Sequence, residues 1–382
     1  MRTWITRWIG LAALLGAASS VAAQDEAPSA LTFAGYDVRQ LGDRGTVEVA
    51  TQAGREELIV TRASVLLEGL EFSEGVIEFD LAFKDERGFG GLIWHTDAAG
   101  ANGEYFYIRQ HKSGQPDAGQ YTPFRGGLTS WQIYTDRNAL AQIAHAHEGW
   151  NRIKFVIEGD RADIYYNGSS TPILHVPDLA SDMGKGFVGF RTSGPNGQIR
   201  FANLTVRPLA PGEGIIGTSA PDARTAPDGT ITRWRVSEHF AEDRVAGQLV
   251  LPADLSALPA KAMLDTESFG IVDLSRSGSD GPDDDTALVS TRITADRAKR
   301  VRLAFGYSDR VRLFLNGELV FDGSAGWRSR DYFFLGTIGF NDAVVLNLNE
   351  GENTFIAAVS ETFGGWGFAA AIANGEGLAI SP

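Results

Sequence analysis

The chain has 382 residues, no cysteine, 45 glycines and a net charge of −14, from 48 acidic against 34 basic side chains. The lack of cysteine excludes disulfides, thiol nucleophiles and thiolate-held metal clusters, and the negative balance argues against nucleic acid or an anionic membrane surface as partner. A length well above one ordinary domain, with this much glycine, points to two β-rich domains stabilised by apolar burial.

In chain order the first element is a leader. Arg2 and Arg7 supply a positive start, residues 8–15 an apolar run, and Val21-Ala22-Ala23 a small-residue cleavage site before Gln24. This is the pattern of a secretory signal peptide over residues 1–23, with an apolar run too short to span a bilayer. The expected setting is therefore secreted or periplasmic in a bacterial envelope, with no integral membrane segment after cleavage.

Residues 24–208 read as a first β-sandwich, with strands from about Leu31 onward. Ile77, Phe79, Leu81 and Phe83 alternate onto one face, as do Ile153, Phe155 and Ile157, and then Ala162, Ile164 and Tyr166. Asn167-Gly168 is expected to close that last strand as a hairpin turn, because both residues tolerate positive φ. Further strands are expected over 187–191 and 199–206, and a short helix near 139–145. Many short strands joined by Gly, Asn and Asp turns make a two-sheet sandwich.

The strand around Tyr105 is the most informative. A period of two sends Phe106 and Ile108 to one side and Tyr105, Tyr107 and Arg109 to the other. Phenol rings stack on the C–H faces of a sugar, while guanidinium and amide groups bond its hydroxyls. Tyr105, Tyr107, Arg109, Gln120 and Trp131 are thus candidate groove residues, whereas Trp94 shares a face with Leu92 and reads as core. The alternative is that Tyr and Arg decorate a solvated strand face.

Glu78 and Asp80 lie two apart and face the same way, as the carboxylates of a glycosidase must. Laminarinase-like enzymes on this kind of sandwich carry Glu-x-Asp-x-x-Glu, but Phe83 stands at the third position, so an exposed strand face is the plainer reading. Glu104 is the remaining catalytic candidate. His145-x-His147 would share a strand face and could hold a metal, though no third ligand follows from the spacing.

Residues 209–229, rich in Pro, Gly, Ala, Ser and Thr, read as a linker. Residues 230–382 read as a second β-sandwich. Val301, Leu303 and Phe305 alternate, then Val311, Leu313 and Leu315, with Asn316-Gly317 as a hairpin turn. Asp280, Asp283 and Asp285 cluster in a tight loop that resembles a calcium site, although the spacing is not that of an EF-hand and a solvated acidic loop is the commoner explanation. Trp327 and Trp366 sit between or beside glycines, and with Tyr307, Asp309 and Arg328 would form a second, loop-end sugar site.

Two resemblances rest on motifs. Gly75-Val76-Ile77-Glu78-Phe79-Asp80, Tyr105-Phe106-Tyr107-Ile108-Arg109, Ser113-Gly114-Gln115-Pro116-Asp117, Gln120-Tyr121-Thr122-Pro123 and Trp150-Asn151-Arg152-Ile153-Lys154 resemble the concanavalin A-like (laminin G-like) jelly rolls of bacterial envelope proteins, close to the 3-keto-disaccharide hydrolase-like group. This implies a sandwich and a glycan-related role. Leu313-Phe314-Leu315-Asn316-Gly317 and Gly365-Trp366-Gly367-Phe368 look like the galactose-binding-like jelly roll that accompanies family 2 glycosidases, where the acids lie on a separate barrel.

The expectation is an all-β chain of two jelly-roll sandwiches joined by a Pro/Gly-rich linker, binding carbohydrate, with calcium as the one cofactor in view. The rival readings are a glycan-processing enzyme, a glycoside hydrolase or a 3-keto-glycoside hydrolase or lyase, and an envelope protein-interaction module.

Overall fold

A computed structural model describes residues 31–221, 223–278, 281, 283–331 and 335–382. The leader expected over residues 1–23 lies outside them. The fold is all-β: four antiparallel sheets arranged as two sandwiches. Among the described residues no helix is long and apolar enough to cross a membrane.

The first sandwich stacks two sheets. One orders its main strands Thr32–Phe33, Tyr36–Leu41, Ser64–Phe72, Gly186–Ser193, Phe89–Thr96, Gly103–Arg109, Gly119–Arg125 and Leu128–Thr129. The other centres on Gly75–Ala82, between Asn151–Glu158 and Gln198–Arg207. The alternation read from sequence becomes packing here. Leu92, Trp94, Phe106 and Ile108 from the first sheet meet Ile77, Phe79, Leu81, Phe155 and Ile157 from the second in one core. Phe79 stands edge-on to Phe190 at 5.1 Å, the offset geometry that ring quadrupoles favour.

The second sandwich faces Thr286–Ala295, Gly351–Ser360 and Arg310–Leu315 against Lys299–Ser308 and Gly367–Ala371. Val289, Leu313 and Phe355 close on Leu303, Phe305 and Phe368, with Trp234 at the centre. Asn316-Gly317 is a two-residue hairpin, φ 53° and 86°, between Arg310–Leu315 and Glu318–Ser324. Asn167 and Gly168 also take positive φ, 50° and 74°, but the strand they feed, Leu174–Val176, begins only after several more residues. The pair therefore opens a longer connection instead of closing a tight hairpin. The helix expected near 139–145 is replaced by the short strand Leu140–Ala141, which pairs with Gly119–Arg125. Pairing to an available strand edge outweighs the weak local helix preference of so short a run.

The described residues of 209–229 form no strand, but they are fastened down. The Ile216 and Gly217 amides both donate to Asp163 Oδ2 at 2.8 Å, and the Arg224 guanidinium donates to the carbonyls of Ile133 and Ile338 at 2.9 Å each. Arg224 thus ties one sandwich to the other. The first core continues across that junction, taking in Phe269, Ile271, Ile338 and Ala369 of the second sandwich. A buried ion pair crosses it too: Arg125 Nη1 meets Asp273 Oδ2 at 2.9 Å, with Asp273 fully buried. Apolar continuity and a desolvated ion pair hold the two sandwiches in one orientation, and that orientation builds the cleft described next.

Candidate functional site

The outward side of the Gly103–Arg109 strand is not solvated. Tyr105 and Tyr107 are 4% and 6% exposed, and they pack with Leu66, Ile93 and Phe124 in a cluster separate from the main core. They form the floor of a cleft of about 1000 Å³. Loops from the first sandwich wall it, including Arg62, Arg87, His111 and Trp131, and the second sandwich closes it with Trp327, Leu335 and Phe363. That volume is at the upper end of small-molecule pockets and accommodates a short oligomer.

The floor is an ordered polar and aromatic array. The Tyr105 and Tyr107 rings stack at 5.0 Å, and the Arg109 guanidinium carbon lies 5.1 Å from the Tyr107 ring. Tyr107 donates to Gln120 Oε1 at 2.6 Å; Arg109 Nη2 donates to the same oxygen and, at 3.1 Å, to the Tyr107 hydroxyl. Burial raises both phenols above their ordinary value, so they stay protonated at neutral pH and cannot serve as bases. Arg191 lies over Phe124 at 4.5 Å and Tyr105 at 5.7 Å.

The walls are aromatic. Phe363, 56% exposed, stands edge-on between Trp131 and Trp327, 6.1 Å from each. His111 stands edge-on to Phe89 at 5.5 Å, and burial, reinforced by the charges of Arg87, Lys112 and Arg109, holds its imidazole below the ordinary value. It is therefore neutral at pH 7.

The loops of the second sandwich are stapled in place. Asp309, buried, accepts from the Thr362 and Phe363 amides at 2.9 and 3.0 Å, while its own carbonyl accepts from the Ala325 amide at 2.7 Å. Gln132 of the first sandwich accepts from the Gly365 amide at 2.8 Å and donates to the Leu335 carbonyl at 3.1 Å. Gly364, at φ 113°, sits where any Cβ would overlap the Gln132 amide, so glycine is required there.

The residues expected from sequence separate as follows. Tyr105, Tyr107, Arg109, Trp131 and Trp327 all border the cleft. Gln120 does not: it is fully buried beneath it, accepting from Tyr107 and donating to the Trp131 and Tyr134 carbonyls at 2.7 and 2.6 Å. Its amide holds floor and wall together. The separate loop-end site is corrected, because Tyr307 and Trp366 are 1% and 4% exposed and belong to the second core. The Trp366 indole donates to the Val359 carbonyl at 3.0 Å, and Tyr307 accepts from Arg330 at 3.0 Å.

Glu78 and Asp80 lie on the other sheet, away from the cleft. Arg152 holds both, at 2.7 Å and 3.1 Å, and Asn203 donates to Asp80 at 2.6 Å. Glu104 faces inward, accepting from the Tyr121 hydroxyl at 2.7 Å and the Ser181 amide at 2.9 Å, and burial raises its carboxyl above the ordinary value. None of the three reaches the cleft, because strand alternation or the sheet itself turns them elsewhere. Both ring nitrogens of His145 are engaged, by the Tyr166 hydroxyl and the Arg109 carbonyl, and His147 Nε2 bonds the Gln110 carbonyl. Asp280 lies outside the described residues. Asp285 accepts from the Glu242 amide and the Thr286 hydroxyl, both at 2.9 Å, and among the described residues no three His, Asp or Glu side chains gather as a metal set.

Sequence reasoning missed Phe363, Arg87, His111 and Arg191. Phe363 lies three residues before the glycine-flanked Trp366, which marked a loop in the sequence. Nothing in that motif said that the loop meets the first sandwich.

Residues 45–207 match the family model of the 3-keto-alpha-glucoside-1,2-lyase-like domain. The match covers most of the first sandwich and ends before the second, so the galactose-binding-like resemblance of residues 301–368 rests on its motifs alone. No curated protein matches the chain. Among solved structures, the chain is similar to the carbohydrate binding module CBM66 from Bacillus subtilis, at 19% identity over 44% of this chain and 94% of that one, TM-score 0.34. A protein of unknown function with a galectin-like fold, also from Bacillus subtilis, matches at 17% identity over 45% and 89%, TM-score 0.34. Bacillus licheniformis beta-glucanase matches at 9% identity over 45% and 92%, TM-score 0.30.

Proposed function

We propose that this chain binds an oligosaccharide in the cleft between its two sandwiches, in the secreted or periplasmic setting its leader sequence implies. The observation that carries the reading is the convergence of rings from both sandwiches, Trp131 from one with Trp327 and Phe363 from the other, above a floor of neutral phenols. Exposed ring edges and faces offer stacking to sugar C–H surfaces, and the protonated Tyr hydroxyls and guanidinium groups offer donors to sugar oxygens. The match of the first sandwich to a 3-keto-alpha-glucoside-1,2-lyase-like domain supports a saccharide as the ligand.

The family match also favours a second reading, cleavage of a glycoside in the same cleft. Two-carboxylate hydrolysis is poorly served, since Asp43 is the one carboxylate among the described lining residues. An elimination needs a single base, and neutral His111 has the protonation state for it.

A glycan array followed by titration calorimetry tests the proposal. Stacking is worth about 0.5–1.5 kcal/mol per ring, so W327A and F363A are each expected to weaken the best glycan by about two- to tenfold. Unchanged affinity in both would remove the cleft from the binding reaction. Product formation lost in H111A but kept in E78Q and D80N would move the assignment to the enzyme.

A further inference from the structure

The cleft carries a charge opposite to that of the chain. Across the sequence 48 acidic side chains outnumber 34 basic ones. Among the described residues lining the cleft, seven are Arg or Lys and one, Asp43, is acidic. Within one concavity such a cluster focuses a positive potential that the surrounding negative surface does not cancel.

Among the described residues, Arg62, Arg87 and Arg191 have no carboxylate partner. Arg191 donates to the Ser64 hydroxyl at 3.1 Å and contacts the Gly100 carbonyl at 3.5 Å, and its other neighbours are the rings of Tyr105 and Phe124. Arg87 lies 5.9 Å from both the Phe89 and Trp327 rings. Arg62 also lines the cleft. Arg109 and Lys112 differ, since they share Asp117 at the cleft's end, Arg109 at 3.9 Å. Guanidinium groups laid against rings keep their N–H edges for pairs of anionic oxygens, as on a carboxylate or a sulfate, which they bind in bidentate fashion. His111 registers the same field, its imidazole lowered by burial first and then by Arg87, Lys112 and Arg109.

We propose that the cleft selects an acidic oligosaccharide, a short sugar chain bearing carboxylate or sulfate groups, with Arg62, Arg87 and Arg191 pairing its anions and Trp131, Trp327 and Phe363 stacking on its rings. This rests on the carbohydrate reading of the same cleft and names the class of sugar. The negative surface outside the cleft works against long polyanions, so the occupant is a short chain or a chain end.

Calorimetry on the full chain separates the cases with four oligosaccharide probes, trigalacturonate, its methyl ester, a sulfated galactan oligomer and its desulfated counterpart, and two sugar-free controls, poly-glutamate and free sulfate. Each acidic probe that binds is expected to exceed its neutral partner by about tenfold or more, and to weaken as salt rises. A preference within one pair alone identifies carboxylate or sulfate as the recognised group. R62Q/R87Q, at exposed side chains outside the core, is expected to erase most of that preference, weakening each acidic probe far more than its neutral partner. Equal affinity within both pairs, or a preference unchanged in R62Q/R87Q, overturns the acidic assignment and leaves the carbohydrate reading standing. Binding of poly-glutamate or free sulfate with no oligosaccharide bound, or no binding of any probe, overturns both.

Discussion

Gln120→Leu is the most direct test of how the floor and wall of the cleft are coupled. Leucine nearly matches glutamine in volume, so the change leaves the packing and removes the polar contacts. Four hydrogen bonds are lost: those from Tyr107 and Arg109 to Oε1, and those from Nε2 to the Trp131 and Tyr134 carbonyls. The losses are unequal. Tyr107 and Arg109 retain each other at 3.1 Å, and Arg109 retains the Asp117 carbonyl at 2.6 Å, so both stay partnered. The Tyr134 carbonyl is buried and stranded, while the Trp131 carbonyl lies near enough to the cleft for water to replace part of its bond. A stranded buried acceptor costs about 1–3 kcal/mol and a replaced bond about 0.5–1.5 kcal/mol, so a loss of about 2–4 kcal/mol is expected. Urea unfolding measures it. Because Gln120 also sets the positions of Tyr107 and Trp131, ligand affinity is expected to fall by about three- to tenfold in protein that is still folded. Gln120→Glu keeps the acceptor for Tyr107 and Arg109 but loses both donors, so it should preserve the floor and release Trp131. A Q120L protein within 0.5 kcal/mol of wild type, with unaltered affinity, would refute the coupling.

Other consequences are equally open to measurement. R125M leaves Asp273 buried without its counter-charge, and a loss of about 3–5 kcal/mol in urea unfolding is expected, with R125M/D273N recovering a large part. If R125M costs little, the ion pair does not hold the two sandwiches together. Glu361 is 5% exposed, and burial followed by the charge of Asp309 raises its carboxyl well above its ordinary 4.5. Below that value both folded and unfolded chains hold the proton. Above it only the folded chain does, so stability declines with rising pH by about 1.4 kcal/mol per unit until the folded group ionises. E361Q should therefore gain on wild type as pH climbs from 4.5 toward 8, and a difference in unfolding midpoint that is flat with pH would show that Glu361 titrates normally.

Much of the architecture was determined by the sequence alone. Period-two alternation placed Phe79, Phe155, Phe106 and Leu313 inward, because a strand sends successive side chains to opposite faces and only one face meets the core. The same rule separated Tyr105, Tyr107 and Arg109 from Phe106 and Ile108, and so marked the floor of the cleft. Alternation says which side a residue takes, however, and not what lies there. Gln120 was read as a ligand group and is a buried brace; Trp366 and Tyr307 were read as exposed and are interior; Glu78 and Asp80 face away across the sandwich. Only tertiary structure decided that Trp327 and Phe363 cross to the first domain, since that contact depends on the shared core at Ile133 and Ile338, the Arg125–Asp273 pair and the glycine that admits Gln132. The charge reversal was equally hidden. Arg62, Arg87, Arg109 and Arg191 are far apart along an acidic chain, and only the folding of the first sandwich brings them around a common space that the second sandwich closes.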